Sequence, residues 1–248
     1  MVDEISIVIP ALNEEKYLPK LLNSIAEQNF PGKLQVIVVD GTSDDKTVAN
    51  AEKFKLKIED LEIILRHKGV AYQRNQGAEK AKYKYLLFLD SDIILPKNFL
   101  NKISKKLDPT EQFISFTLHL PPKFNFLDYC FVATVFIFVF LAQFFSPVLA
   151  GSYIFTTMKN HKKINGFDAA VKLGEDIDYL RRSLKNGAIY HFFLYPFVFT
   201  SPRRLRSQGR LTLLKRYIQG FIHFQKHGAI TDEKTIDYPM GLPYQGEE

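Results

Sequence analysis

An α/β fold built on a mostly parallel sheet is predicted by three features of the sequence. Short β-rich runs alternate with stretches of helical periodicity, as in βαβ units joined by right-handed crossovers. The runs are continuously apolar, as expected of strands covered on both faces. They also end in acids: Glu14 shortly after the first, Asp40 after the second, and Asp90 with Asp92 after the fourth. Ligands of open α/β sheets bind at the carboxyl edge of the strands, so these acids are placed where chemistry is expected.

Taken in order, Ile5-Ser6-Ile7-Val8-Ile9-Pro10 reads as the first strand. Leu18, Leu21, Leu22 and Ile25 follow at helical spacing. Gln35 to Asp40 is the second strand, and Gly41-Thr42-Ser43-Asp44-Asp45 makes the turn before a helix from about Thr47. Leu61 to Leu65 is the third strand, leading through Lys68-Gly69 into a helix that carries Arg74, Asn75 and Gly77. Tyr85 to Asp90 is the fourth. Two carboxylates one residue apart repel unless a cation lies between them, so Asp90 and Asp92 point to a hard divalent ion. Any one of these acids alone is more often a helix cap or turn residue; their convergence on one edge carries the argument.

The chain has 248 residues, enough for one large domain, and a net charge of +6 that favours anionic partners. Its one cysteine, Cys130, excludes an intrachain disulfide and fits a reducing compartment. Asp3 and Glu4 just before a strand-like run argue against a secretory signal. The Gly-x-Gly-x-x-Gly of a dinucleotide fold and the Walker phosphate loop are both absent. Acids able to hold a metal, with Lys68 and Arg74 near, instead suit a nucleotide diphosphate.

The segments Ile9-Pro10-Ala11-Leu12-Asn13-Glu14-Glu15, Val39-Asp40-Gly41-Thr42-Ser43-Asp44, Arg74-Asn75-Gln76-Gly77-Ala78 and Asp90-Ser91-Asp92 resemble successive motifs of family 2 glycosyltransferases with the GT-A (Rossmann-like) fold. Gly166-Phe167-Asp168 and Gly174-Glu175-Asp176 resemble that family's acceptor-side motifs. The resemblance implies that Pro10, Ala11, Asn13, Glu14, Asp40 and Asp44 line a nucleoside pocket. It implies that Asp92 holds Mg or Mn, with Asp90 close to the ribose or the metal, and that Asp176 is the catalytic base. Gly174 and Glu175, with the cations Arg203 and Arg204, are placed on the acceptor and diphosphate side. Asp45 stands where the family often has a small turn residue, and its role is open. The chain has no Trp, so the Gln-x-x-Arg-Trp motif of processive synthases is missing and a single transfer is expected. Acids at the start of the helix from Gly174 and bases at its end suit the helix dipole, which is expected to keep Asp176 ionised.

Tyr129 to Met158 contains no charge, long enough to span a bilayer, which takes about 20 residues. A single crossing would part Asp92 from Asp176. The segment must therefore return, lie in the interface or be covered by protein, with Pro147 and Gly151 as possible bends. His191 to Thr200 reads as a strand. From Arg203 to Lys226 there are seven Lys or Arg and no acid, and Leu211, Leu214, Ile218, Phe221 and Ile222 lie at helical spacing. Such a basic amphipathic helix can dock its apolar side on the core with its bases solvated, but with the uncharged stretch beside it peripheral membrane attachment is expected.

The expected organisation is thus one catalytic domain over 1–230, with a hydrophobic insert at 124–150 able to contact a membrane, a basic segment at 202–228 and a polar tail at 231–248. The expected partners are a UDP- or GDP-linked sugar and a lipid-linked acceptor, at the inner face of the cell membrane; no nucleic acid is expected. The competing readings are a sugar nucleotidyltransferase and a non-catalytic basic scaffold binding membrane or nucleic acid. The first usually shows a Gly-rich, Arg-containing loop after its first strand, absent here, and the second leaves the acids unexplained.

Overall fold

The computed structural model describes residues 1–122, 126–142 and 151–231. Strands β1 (Glu4–Ala11), β2 (Lys33–Asp40), β3 (Leu61–Leu65) and β4 (Tyr85–Leu89) form a parallel half-sheet in the order β3-β2-β1-β4. Between them run α1 (Leu18–Ala26), α2 (Thr47–Glu52) and α3 (Val70–Lys80). Ile5, Ile7, Val8 and Ile9 of β1, Val36 to Val39 of β2 and Leu86 to Leu89 of β4 are fully buried, as continuous apolar runs require. On α1, Leu18, Leu21, Leu22 and Ile25 are the buried face. The α3 helix presses on the sheet at Gly77, where an added Cβ would lie 2.3 Å from Val8 Cγ1.

The second half departs from the expected parallel order. A short β5 (Ile93–Ile94) and α4 (Phe99–Ser104) lead into β6 (Phe113–Leu120), α5 (Phe126–Ala142) and β7 (Tyr153–Thr157). The α6 helix (Met158–Lys163), α7 (Glu175–Lys185) and β8 (Ile189–Thr200) follow. The sheet continues β4-β7-β6-β8-β5. Strand β7 is antiparallel to both β4 and β6, whereas β8 is parallel to β6. The cause is the excursion through α5. The chain leaves β6 at the carboxyl edge and re-enters β7 at the same edge, where Tyr153 pairs with Leu89, so no crossover intervenes. Among the described residues, the long uncharged stretch thus holds a helix and, further on, a fully buried core strand. Among the described residues no helix is long and apolar enough to cross a membrane. Pro147 and the tail beyond Thr231 lie outside the described residues.

The basic segment is also two helices, α8 (Arg203–Gln208) and α9 (Arg210–His227), broken at Gly209, whose φ of +78° is left-handed. On α9 the buried residues are Leu213 and Phe224. Leu211, Ile218 and Ile222, three of the apolar residues read from the sequence at helical spacing, point outward.

Candidate active site

The rim is assembled from the carboxyl ends of β1, β2 and β4. Ala11 pairs with Asp40 across β1 and β2, so the loops that follow leave side by side. They are then tied together. Asn13, in the left-handed region at φ 55°, accepts the Asp44 N–H on Oδ1 at 3.0 Å and donates its own N–H to Ser43 Oγ at 2.9 Å. Glu14 N–H donates to Thr47 Oγ1 at 2.7 Å. Asp40 is buried and accepts from Ser43 N–H at 2.8 Å, while Asp44 is exposed. Lys68 is exposed beside this turn, its Cα 3.3 Å from the place a Gly41 Cβ would take. Asp45, left open by the sequence, accepts the Glu15 N–H at 3.1 Å and the Thr47 N–H at 2.8 Å. It therefore satisfies a donor at the start of α2 and fastens the two loops.

Ser91 Oγ donates to the Pro10 carbonyl at 2.8 Å, fixing the Asp90-Ser91-Asp92 turn against buried Pro10. Asp90 Oδ1 accepts from Arg74 Nη2 at 2.8 Å, and its side chain keeps 36% of its surface exposed. Asp92 faces Arg203, with Oδ2 3.2 Å from Nε. Arg203 also forks onto Glu14, Nη1 to Oε2 at 2.8 Å and Nη2 to Oε1 at 2.7 Å, and lies over the Tyr17 ring at 4.7 Å. Burial raises the Glu14 carboxyl above its ordinary range, against the pull of Arg203. The side chain of Arg204 lies outside the described residues.

Arg74 is the centre of the arrangement. It is 1% exposed and reaches Asp90, Glu175 Oε1 (3.1 Å) and the Gly151 carbonyl (2.7 Å). A cation read from sequence as facing a diphosphate is thus enclosed, joining Asp90 to the acid pair that opens α7. Next to it, Asn75 clasps the 166–168 turn: Nδ2 donates to the Phe167 carbonyl and Oδ1 accepts the Phe167 N–H, both at 2.8 Å.

Asp176 stands in this acid–Arg74 nest, its Oδ1 accepting the Ile177 N–H at 2.9 Å. Burial, and then the neighbouring Glu175 charge, push its carboxyl up to about 7, against the attraction of Arg74. Burial thus outweighs the dipole that was expected to keep it ionised. Gly174, at φ +80°, starts the helix where a Cβ would stand 2.9 Å from Phe224 Cε2 on α9. Gly151, read only as a bend, is the space that admits Asp176: a Cβ there would lie 3.2 Å from Oδ2. Gln73 is a second residue the sequence did not flag. It is buried and donates to both the Ala11 and Val39 carbonyls, at 2.9 and 2.7 Å. A glycine ending an apolar run was a usable signal; a lone glutamine in a helix was none.

A divalent ion fits the donor chemistry of this rim. Asp90 and Asp92 offer hard oxygens on one turn, and Asp90 commits only Oδ1 to Arg74 in the bonds given above. Among the described residues no group of three or more His, Cys, Asp or Glu forms a metal centre, so the remaining ligands would come from a diphosphate or water.

Residues 6–120 match the model of glycosyl transferase family 2. Over 106 residues the chain is 36% identical to the poly(ribitol-phosphate) beta-N-acetylglucosaminyltransferase TarS of Staphylococcus aureus, a match covering 42% of this chain and 18% of TarS. The structure of S. aureus TarS 1-349 in complex with UDP-GlcNAc superposes with a TM-score of 0.63 at 20% identity, covering 80% of this chain and 58% of that one. Mannosyltransferase PcManGT from Pyrobaculum calidifontis, in complex with GDP-Man and Mn2+, gives 0.66 at 20% identity, covering 88% and 65%. These two likenesses establish a shared α/β fold of the GT-A kind. Over its segment 6–120 the chain resembles glycosyl transferase family 2.

Proposed function

We propose that this chain is a metal-dependent, inverting glycosyltransferase that moves one sugar from a UDP- or GDP-linked donor to a hydroxyl or phosphate acceptor on a lipid carrier. Residues 1–230 act as one catalytic domain seated on the inner face of the cell membrane. The observation that carries this reading is the single buried guanidinium of Arg74, bonded at once to Asp90 and to Glu175. Donor-side acids and the base helix are thereby held at one rim, as a direct displacement needs. The donors bound by the two structural relatives, UDP-GlcNAc and GDP-Man with Mn2+, support a nucleotide sugar and a divalent ion.

The nucleoside lies against the Asn13, Asp40 and Asp44 loops, with Lys68 beside it. Asp90 and Asp92 would hold the ion, which supplies positive charge to the diphosphate. Arg203, partly buried at the same rim, is the cation positioned to meet charge that grows on the leaving group. Asp176 takes the proton from the acceptor hydroxyl while that oxygen bonds to the anomeric carbon. The bond from that carbon to the diphosphate oxygen breaks, the nucleoside diphosphate leaves, and the centre is inverted. A carboxyl poised near neutral pH is well matched to such a proton transfer.

The test is a screen of nucleotide sugars for binding and turnover with and without Mn2+. Donor binding that needs the metal and is weakened by Asp92→Asn supports the reading. Pyrophosphate release from a nucleoside triphosphate and a sugar phosphate would replace it with nucleotidyl transfer. Salt-sensitive RNA or vesicle binding without any nucleotide-sugar turnover would leave only a basic scaffold.

A further inference from the structure

We infer that α5 and α9 together form a docking face for an anionic lipid bilayer, set against the acceptor side of the site; this deepens the membrane seat proposed above and rests on it for its purpose. The burial pattern of α5 is inverted relative to a helix in water. Its one charged residue, Asp128, is 8% exposed and paired with Arg210 of α9 at 2.7 Å. Its apolar Leu127, Ile137 and Leu141 are 58%, 56% and 54% exposed. With Cys130 and Thr134, also exposed, these residues recur at three- and four-residue steps along one uncharged stripe.

The α9 helix repeats the pattern beside it. Leu213 and Phe224 pack inward, while Leu211, Ile218 and Ile222 fall on the opposite face at helical spacing, with Leu211 83% exposed. Exposed Lys215 lies on that outward face, with Lys226 at its flank, and no acid occurs in α9. The two helices are joined by the Asp128–Arg210 pair and by Phe138 edge-on to Phe221, ring centroids 5.2 Å apart. An apolar stripe carrying only lysines is complementary to acyl chains beneath anionic headgroups, because lysine stems lie along apolar surface while their ammonium groups reach the phosphates.

This face is coupled to the site. Phe224 fills the space over Gly174 and lies under Arg181 at 4.5 Å, while the Lys172 N–H donates to the Ile230 carbonyl beyond α9. A bilayer touching α5 and α9 therefore lies next to the helix that carries Asp176, where an acceptor on a lipid carrier has to arrive.

Cys130, the sole cysteine, reports on the stripe directly. The full chain is labelled there with an environment-sensitive fluorophore and mixed with vesicles of phosphatidylcholine and phosphatidylglycerol in equal parts. The expected result is a blue shift together with co-flotation, weakened at least about tenfold in pure phosphatidylcholine. Ile137→Glu with Leu141→Glu should reduce partitioning by about a hundredfold or more, and Ile137→Ala with Leu141→Ala by less. Lys215→Gln with Lys226→Gln should cost about tenfold, in anionic vesicles only. Thermal melts matching the parent show that the variants fold, since every substituted side chain is exposed. Absence of binding to anionic vesicles overturns the inference. So does a lipid-free dimer, seen by sedimentation, that Ile137→Glu with Leu141→Glu dissolves, because a second copy then covers the face. Donor binding is read on the same samples: intact donor binding without vesicle binding refutes the surface alone. Vesicle binding without donor binding refutes the transferase reading alone.

Discussion

Replacing Arg74 by Met removes the guanidinium and nearly keeps its bulk, which isolates the charge that joins the two halves of the site. Three partners are lost. Glu175 is nearly enclosed, and leaving a buried charge without its partner costs about 3–5 kcal/mol. Asp90 keeps over a third of its side chain in solvent, so water screens its loss and it adds little. The Gly151 carbonyl loses a donor at 2.7 Å, worth about 1 kcal/mol if water does not replace it. Against this, the arginine no longer has to be desolvated, so the net expectation is the low end, about 3 kcal/mol. For a chain of this size that lowers the melting temperature by about 6–12 °C. A second signature separates this account from simple loosening. Arg74 holds the Asp176 carboxyl down, so without it that carboxyl rises further and the alkaline shift appears in the pH dependence of transfer. Calorimetric melts and a pH profile of kcat/KM on the same variant provide both readouts. A melting temperature within about 2 °C of the parent, together with an unmoved pH profile, refutes the placement of Arg74 at the junction.

Further outcomes are expected. In the parent, kcat/KM should rise with pH to a plateau above about 7, because Asp176, as the proposed base, must lose its proton and burial resists that loss. Glu175→Gln removes the neighbouring negative charge and should move that limb to lower pH, as steady-state rates across the range will reveal. The same raised carboxyl has a stability consequence of definite sign. A group whose folded pKa exceeds its unfolded one favours the fold at low pH, so its contribution declines as pH climbs from about 4 to about 7. Asp176→Asn should flatten that decline in urea melts. Gly77→Ala forces a methyl to 2.3 Å from Val8 Cγ1, and overpacking of this kind costs about 1–3 kcal/mol, measurable by chemical denaturation.

The parallel half of the sheet was legible because β1, β2 and β4 are short apolar runs, each punctuated by an acid, a proline or a turn. β7 was not, since Tyr153–Thr157 lies near the end of a longer uncharged stretch in which no charged residue sets the strand off from what precedes it. Periodicity gave α9 its existence and its amphipathic character but did not single out Leu213 and Phe224 as the residues that pack inward. Two apolar faces compete on that helix, and only packing against Gly174 and Arg181 decides between them. The acids of the rim were readable by residue type and position. The burial that raises Asp176 was not, because it depends on Arg74 and Gly151, distant in sequence and adjacent in space. Arg74 shows the same limit: its charge could be read, and its direction could not.

The most direct test of the account is a paired measurement on Asp176→Asn: calorimetric binding of the identified donor with Mn2+, and transfer from that donor under saturating conditions. The expected result is donor affinity within about threefold of the parent and transfer reduced by a factor of about 100 or more, because only the proposed proton acceptor is gone. Transfer that persists at the parent's rate would contradict it, as would donor affinity lost together with turnover.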